Sequence, residues 1–114
     1  MTRRNIDPTV FQLHAEICKT LSNSTRLMIL NSLRDGEKSV SELAELVGAQ
    51  QANVSQHLAV LRQRGVVATR KHGANIYYSV ANPKIIQACD MIREVLFEQL
   101  AKTKELTKKY SNIR

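Results

Sequence analysis

Ala52, Ser55, Gln56 and Ala59 fall on one side of a helix-period segment whose other side is fixed by Val54, Leu58 and Leu61. A hydroxyl and an amide set among small residues is chemistry for the edges of base pairs. Gln pairs bidentately with adenine N6 and N7, Ser bonds to either base type, and alanines let a helix approach the floor of a major groove. From Leu46 to Cys89 there is no Asp or Glu, whereas Arg62, Arg64, Arg70, Lys71 and Lys84 all lie in that stretch. Basic residues without intervening acids are what phosphate neutralisation needs. A solvated basic face has the same charge, but here the charge flanks a helix with base-reading chemistry, so double-stranded DNA is the expected partner.

Such residues need a scaffold of two short helices. Ser39 and Glu42 form an S-x-x-E capping box, and Val40, Leu43, Leu46 and Val47 follow at helical spacing until the turn at Gly48. Residues 39–64 therefore read as a helix-turn-helix. Upstream, Asp7 is an N-cap with Pro8 at the first helical position, and that helix runs to about Leu21 before Ser22, Asn23 and Ser24 break it. A second helix is expected from Thr25 to Leu33, stopped by Asp35 and Gly36. Residues 66–80 hold two β-rich runs around Lys71, His72, Gly73 and Ala74, a two-stranded wing with a short turn. Its tip would place His72 at phosphate or simply in solvent, and of Tyr77 and Tyr78 one should face the core and the other solvent or DNA. Asn82 and Pro83 cap a long last helix, residues 83–109.

The expected fold is mainly α with a small β-hairpin wing: a winged helix-turn-helix in the order four helices, two strands, one helix. Residues 1–114 suit one domain, with 1–6 as a polar arm carrying Arg3 and Arg4. A net charge of +7 agrees with an acidic partner. No signal-peptide pattern and no long apolar run is present, so a cytoplasmic protein without a membrane partner is expected. Three histidines on separate elements and no Gly-rich loop argue against an enzyme. Apolar stripes at Val10, Leu13, Ile17 and Leu21 and at Ile85, Cys89, Ile92, Leu96 and Leu100 need covering, which predicts a homodimer. Two-fold symmetry would set the reading helices roughly 34 Å apart on an inverted repeat.

The runs KTLSNSTRLMILNSL, EKSVSELAELVG and NVSQHLAVLRQRGVVATRKHGANIYYSV, with the final helix, together resemble the ArsR/SmtB family of bacterial and archaeal winged-helix repressors. The resemblance covers roughly Ile17 to Leu100. It implies a dimer joined by its first and last helices, released from operator DNA by a ligand or redox signal. It also implies groove contacts at Gln51, Ala52, Ser55 and Gln56, with the wing at phosphate or minor groove. Ala52 stands where the family often has a hydroxyl. The cysteines that bind thiophilic metals in many members are replaced by Ser39 and Ser41. The positions of the carboxylate and imidazole site are Asn82, Lys84, Val95 and Glu98, of which only Glu98 is able to ligate.

Cys18 and Cys89 remain, on the first and last helices. They read either as small buried hydrophobes or as a thiol switch. His14 and Cys18 are one turn apart, and with Cys89 they would offer a soft metal three ligands, the one cofactor reading the residues allow. His57, beside the packed side of its helix, suits a structural hydrogen bond better than ligation. Lys102, Lys104, Lys108 and Lys109 either extend the DNA footprint or form a solvated terminal face, and the tail could instead meet a partner protein. The alternative function is a structural protein that coats DNA without a signal, separated from a regulator by its lack of sequence preference.

Overall fold

The computed structural model describes residues 7–103. They form α1 (Pro8–Leu21), α2 (Ser24–Ser32), β1 (Lys38–Ser39), α3 (Val40–Val47), α4 (Gln51–Gln63), β2 (Val67–His72), β3 (Asn75–Val80) and α5 (Lys84–Ala101). The chain divides into two compact units, Met1–Asn82 and Pro83–Arg114. The expected arm at 1–6 and Lys104, Lys108 and Lys109 lie outside the described residues.

Side chains start the first three helices by satisfying amides that have no partner inside the helix. Asp7 Oδ1 accepts from the Thr9 amide at 2.9 Å, and Asn23 Oδ1 from the Arg26 amide at 3.1 Å. Asn23, part of the break in the sequence, is thus the cap of the next helix, which begins at Ser24. Ser39 and Glu42 close the capping box: the Ser39 amide donates to Glu42 Oε1 at 2.8 Å and the Glu42 amide to Ser39 Oγ at 3.2 Å. Gly48 ends α3 at φ +70° and ψ +37°, where a Cβ costs roughly 1–2 kcal/mol. The far end of α4 is a Schellman closure at Gly65, φ +75°: the Val66 amide donates to the Leu61 carbonyl at 2.8 Å and the Gly65 amide to the Arg62 carbonyl at 3.0 Å.

The core lies where α2, α3 and α4 meet the root of the hairpin. Ile29, Leu30 and Leu33 come from α2 and its cap, Leu43 and Ala44 from α3, Val54, Leu58 and Leu61 from α4, and Val66 and Val67 from the entry to β2. Helix α1 adds only Thr20, while Val10, Leu13 and Ile17 stay 50%, 62% and 42% exposed.

β2 and β3 pair antiparallel from Val67 opposite Val80 to His72 opposite Asn75. Gly73 and Ala74 alone make the turn, and Gly73 at φ +62° gives the positive φ that the first residue of a type II′ turn requires. The sheet has three strands, not the expected two: β1 pairs with β3, Lys38 opposite Tyr78 and Ser39 opposite Tyr77, in the order β1-β3-β2. Two residues ahead of a helix carry no alternation, so only their pairing makes them a strand. Tyr77 and Tyr78 are consecutive on this central strand and so point to opposite faces of the sheet. Both are half-buried, and the Arg70 guanidinium covers the Tyr77 ring at 5.2 Å.

In the second unit α5 starts after Pro83, whose φ of −60° and ψ of −17° are already helical. The helix ends at Ala101, just past the last residue of its apolar stripe, and does not continue through 102 and 103 toward 109. None of its residues is buried; Met91, Ile92, Val95 and Leu96 are 66%, 69%, 47% and 46% exposed.

Leu58 is 0% exposed in this core, so Leu58→Ala should lower the unfolding free energy by about 2–5 kcal/mol. Urea denaturation followed by circular dichroism checks this; a loss within the error of wild type would contradict the packing.

Candidate nucleic-acid interface

α4 is held by one side. Val54, Leu58 and Leu61 are 0% exposed, and on the rest of the surface Gln51, Ala52, Ser55, Gln56 and Ala59 are all exposed, as the spacing predicts. The ridge opposite the core runs Ala52, Gln56, Ala59, Gln63. Gln63 was missed by sequence reasoning although its i+4 spacing from Ala59 was the available signal. No side chain caps the start of α4 and no acid occupies its first turn, so the positive end of its dipole accompanies Gln51 and Ala52.

The basic residues divide into two groups. Arg62 and Lys71 are exposed and enter no ion pair among the described residues, and His72 is exposed where the hairpin turns. Arg64 and Arg70 are also exposed, but each faces a carboxylate. Arg64 Nη2 lies 3.1 Å from Glu16 Oε1. Arg70 holds Glu37 bidentately, Nε donating to Oε1 at 3.0 Å and Nη2 to Oε2 at 2.7 Å. That hydrogen bonding draws the Glu37 pKa below the ordinary glutamate value and raises that of Arg70. Glu16 and Glu37 lie outside the acid-free stretch, and only the fold brings them to it.

His57 is half-buried beside the packed side of α4 and makes the structural hydrogen bond its position suggests. Arg26 Nε of α2 donates to His57 Nδ1 at 3.1 Å, and Arg26 Nη1 donates to the Thr20 carbonyl of α1 at 3.0 Å. Burial, and then the adjacent guanidinium, hold the imidazole pKa below that of ordinary histidine.

Ser39 and Ser41 have their hydroxyls 3.2 Å apart, with Ser39 engaged in the cap. His14 and Cys18 are exposed on α1; Cys89 is half-buried on α5. Burial pushes the Cys89 thiol pKa up, with Arg93 opposing and Asp90 reinforcing the shift, which lowers its thiolate fraction. Among the described residues no group of three His, Cys, Asp or Glu side chains is arranged to hold a metal ion. No helix among them is long and apolar enough to cross a membrane.

A capped first helix, a left-handed glycine turn, an exposed second helix and a β-wing define a winged helix-turn-helix, the build of DNA-binding regulators. Comparisons with known proteins agree. Residues 23–69 match the family model described as bacterial regulatory protein, arsR family. The HTH-type transcriptional regulator Rv0081 of Mycobacterium tuberculosis is 41% identical over 93 residues, 81% of this chain and 82% of the relative. Its crystal structure matches with a TM-score of 0.75 at 40% identity, covering 85% of this chain and 97% of that one. The biofilm growth-associated repressor of Xylella fastidiosa is 35% identical over 99 residues, 87% of this chain and 86% of the relative. The homodimeric winged helix-turn-helix DNA-binding domain of Mb0332 from Mycobacterium bovis matches with a TM-score of 0.74 at 28% identity, covering 88% of this chain and 91% of that one. The chain belongs to the ArsR family of bacterial regulatory proteins and is a DNA-binding transcriptional regulator.

A depressed carboxylate pKa contributes stability that is present above the unfolded value and lost as pH falls through the folded one. For exposed Glu37 the contribution is small, so the titration itself is the observable. NMR of the Glu37 side-chain carboxyl should give a midpoint below the ordinary glutamate range, moving upward in Arg70→Gln. An unchanged midpoint in that variant would show that Arg70 does not hold Glu37 in solution.

Proposed function

We propose that the protein is a cytoplasmic, non-enzymatic homodimeric repressor that binds an inverted-repeat operator in double-stranded DNA and is released by a small signal. The observation that carries the reading is the exposed ridge of α4, with small and amide side chains opposite a fully buried apolar side. Gln51, Ala52, Ser55 and Gln56 read base edges; Arg62, Lys71 and His72 hold phosphates, joined by Arg64 and Arg70 as phosphate displaces their carboxylates. The repressor sense is supported by similarity to the Xylella fastidiosa repressor. Dimerisation is supported by the homodimeric Mycobacterium bovis domain and by the uncovered apolar side chains of α1 and α5. For the signal, exposed Cys18 is a better nucleophile candidate than half-buried Cys89 with its raised pKa.

Duplexes enriched by selection from random sequence, titrated by fluorescence anisotropy, test the reading. A regulator prefers its selected site over random DNA by roughly 10³-fold or more, whereas a DNA-coating protein shows a salt slope without preference. Gln56→Ala should cost about 1–3 kcal/mol at one base position; Lys71→Ala should weaken all sequences about equally and lower the salt slope by about 1. Equal losses across sequences for both variants would overturn the assigned roles. Light scattering should give twice the 12.9 kDa chain mass, and Ile92→Glu, at a position 69% exposed in the single chain, should give monomer. A wild-type monomer would overturn the dimer.

A further inference from the structure

Arg26 connects three helices. Its amide is capped by Asn23, at the start of α2. Its Nη1 donates to the Thr20 carbonyl, one of the last four of α1, which an α-helix leaves without an internal partner. Its Nε donates to His57 Nδ1 on α4. A guanidinium is planar and its Nε carries one hydrogen, so these two donors fix their acceptors in one plane and at one separation. Lysine, a point charge on a flexible stem, has no such fork. Because Nε–H only donates, Nδ1 must be the acceptor, which puts the ring proton on Nε2 of a neutral imidazole. Arg26 and His57 are both half-buried, while the second tie from α1 to the end of α4, Glu16 with Arg64, is exposed and weak.

We infer that Arg26 and His57 are positioning residues that set the angle of the reading helix α4 against α1, and thereby the spacing of half-sites the dimer accepts. The inference rests on the reading of the protein as a homodimeric DNA-binding regulator. α1 buries only Thr20 in its own chain and leaves Val10, Leu13 and Ile17 uncovered, the face available to a second copy. In such a dimer α1 is fixed to the two-fold axis. The link from α1 to α4 through one guanidinium then decides how far apart and at what angle the two copies of Gln56 reach the grooves. One base pair of added spacing shifts a half-site by about 3.4 Å and rotates it around the duplex. Loosening the link should therefore relax spacing selectivity without altering phosphate attraction.

The test uses full-length dimers and selected duplexes whose two half-sites are kept at their selected separation or moved by one base pair either way, with a random duplex as reference. His57→Leu and Arg26→Lys should lose about fivefold or more of the wild-type preference for the selected spacing, the loss of one directional hydrogen bond, with random-duplex affinity within about twofold. His57→Asn places an amide oxygen near the Nδ1 position and should retain the preference. Unchanged spacing preference in the Leu and Lys variants, at a temperature where circular dichroism shows them folded, would overturn the inference. Nitrogen NMR of the wild-type His57 ring is independent of any variant: a proton on Nε2 supports the link, and one on Nδ1 overturns it. Wild-type protein that does not separate its selected site from random duplex would overturn the regulator reading, and this inference with it; wild type that does so while its variants keep spacing selectivity overturns this inference alone.

Discussion

The constraint on which the molecule depends is that α4 is anchored along a single side. Val54, Leu58 and Leu61 give it a fully buried edge, and burying each such side chain is worth about 1.5–3 kcal/mol. The remaining surface of the helix then needs to hold nothing, and it carries amides, a hydroxyl and alanines. The wing inherits its place from the same anchor. The Schellman closure at Gly65 turns the chain from Leu61 directly into Val66 and Val67, and the Ala81 amide returns to the Val66 carbonyl at 3.0 Å where β3 leaves the sheet. The base of the hairpin is therefore tied to the end of α4, and Lys71 and His72 are carried at a fixed reach from it.

Electrostatics are arranged less simply than composition suggests. The stretch from Leu46 to Cys89 has no acid, yet Glu16 and Glu37 fold back on to Arg64 and Arg70. Exposed pairs of this kind are worth about 0–1 kcal/mol, little against the counterion release that accompanies phosphate binding. The carboxylates thus hold long side chains in place without fixing their partner. Arg70 is the clearer case, since Tyr77 beneath it and Glu37 beside it leave the guanidinium few alternative directions. In the proposed DNA complex a residue of that kind would be ordered before the duplex arrives and would lose less side-chain entropy on binding.

What was legible in the sequence is what neighbouring residues decide. Asp7 with Pro8, Ser39 with Glu42, and Gly48 are contained within a turn of chain, and the structure has each where the spacing places it. The exposed side of α4 was legible for the same reason, because a 3.6-residue period with three apolar members fixes which side packs. The third strand was not, since Lys38 and Ser39 become a strand only through Tyr77 and Tyr78. Nor were the partners of Arg64, Arg70 and His57, each supplied from a distant element. In a chain this basic, nothing local says which arginine meets a carboxylate, which meets an imidazole and which stays in solvent.

The position of α1 follows from the weakness of its own burial. A helix of 14 residues that contributes one buried side chain to its unit is marginal by itself, so in the homodimer reading its stability comes mainly from the second copy. Its connection to α4 is then polar, made by Arg26 to His57 and by Glu16 to Arg64, and not by the apolar core that α4 shares with α2 and α3. Apolar packing is specified by volume and resists small displacements, whereas a hydrogen bond is specified by direction and distance. In the homodimer reading the core fixes α4 within its own chain and these hydrogen bonds set α4 against α1, so the separation of the two copies of α4 depends on a few directional polar contacts and not on the core.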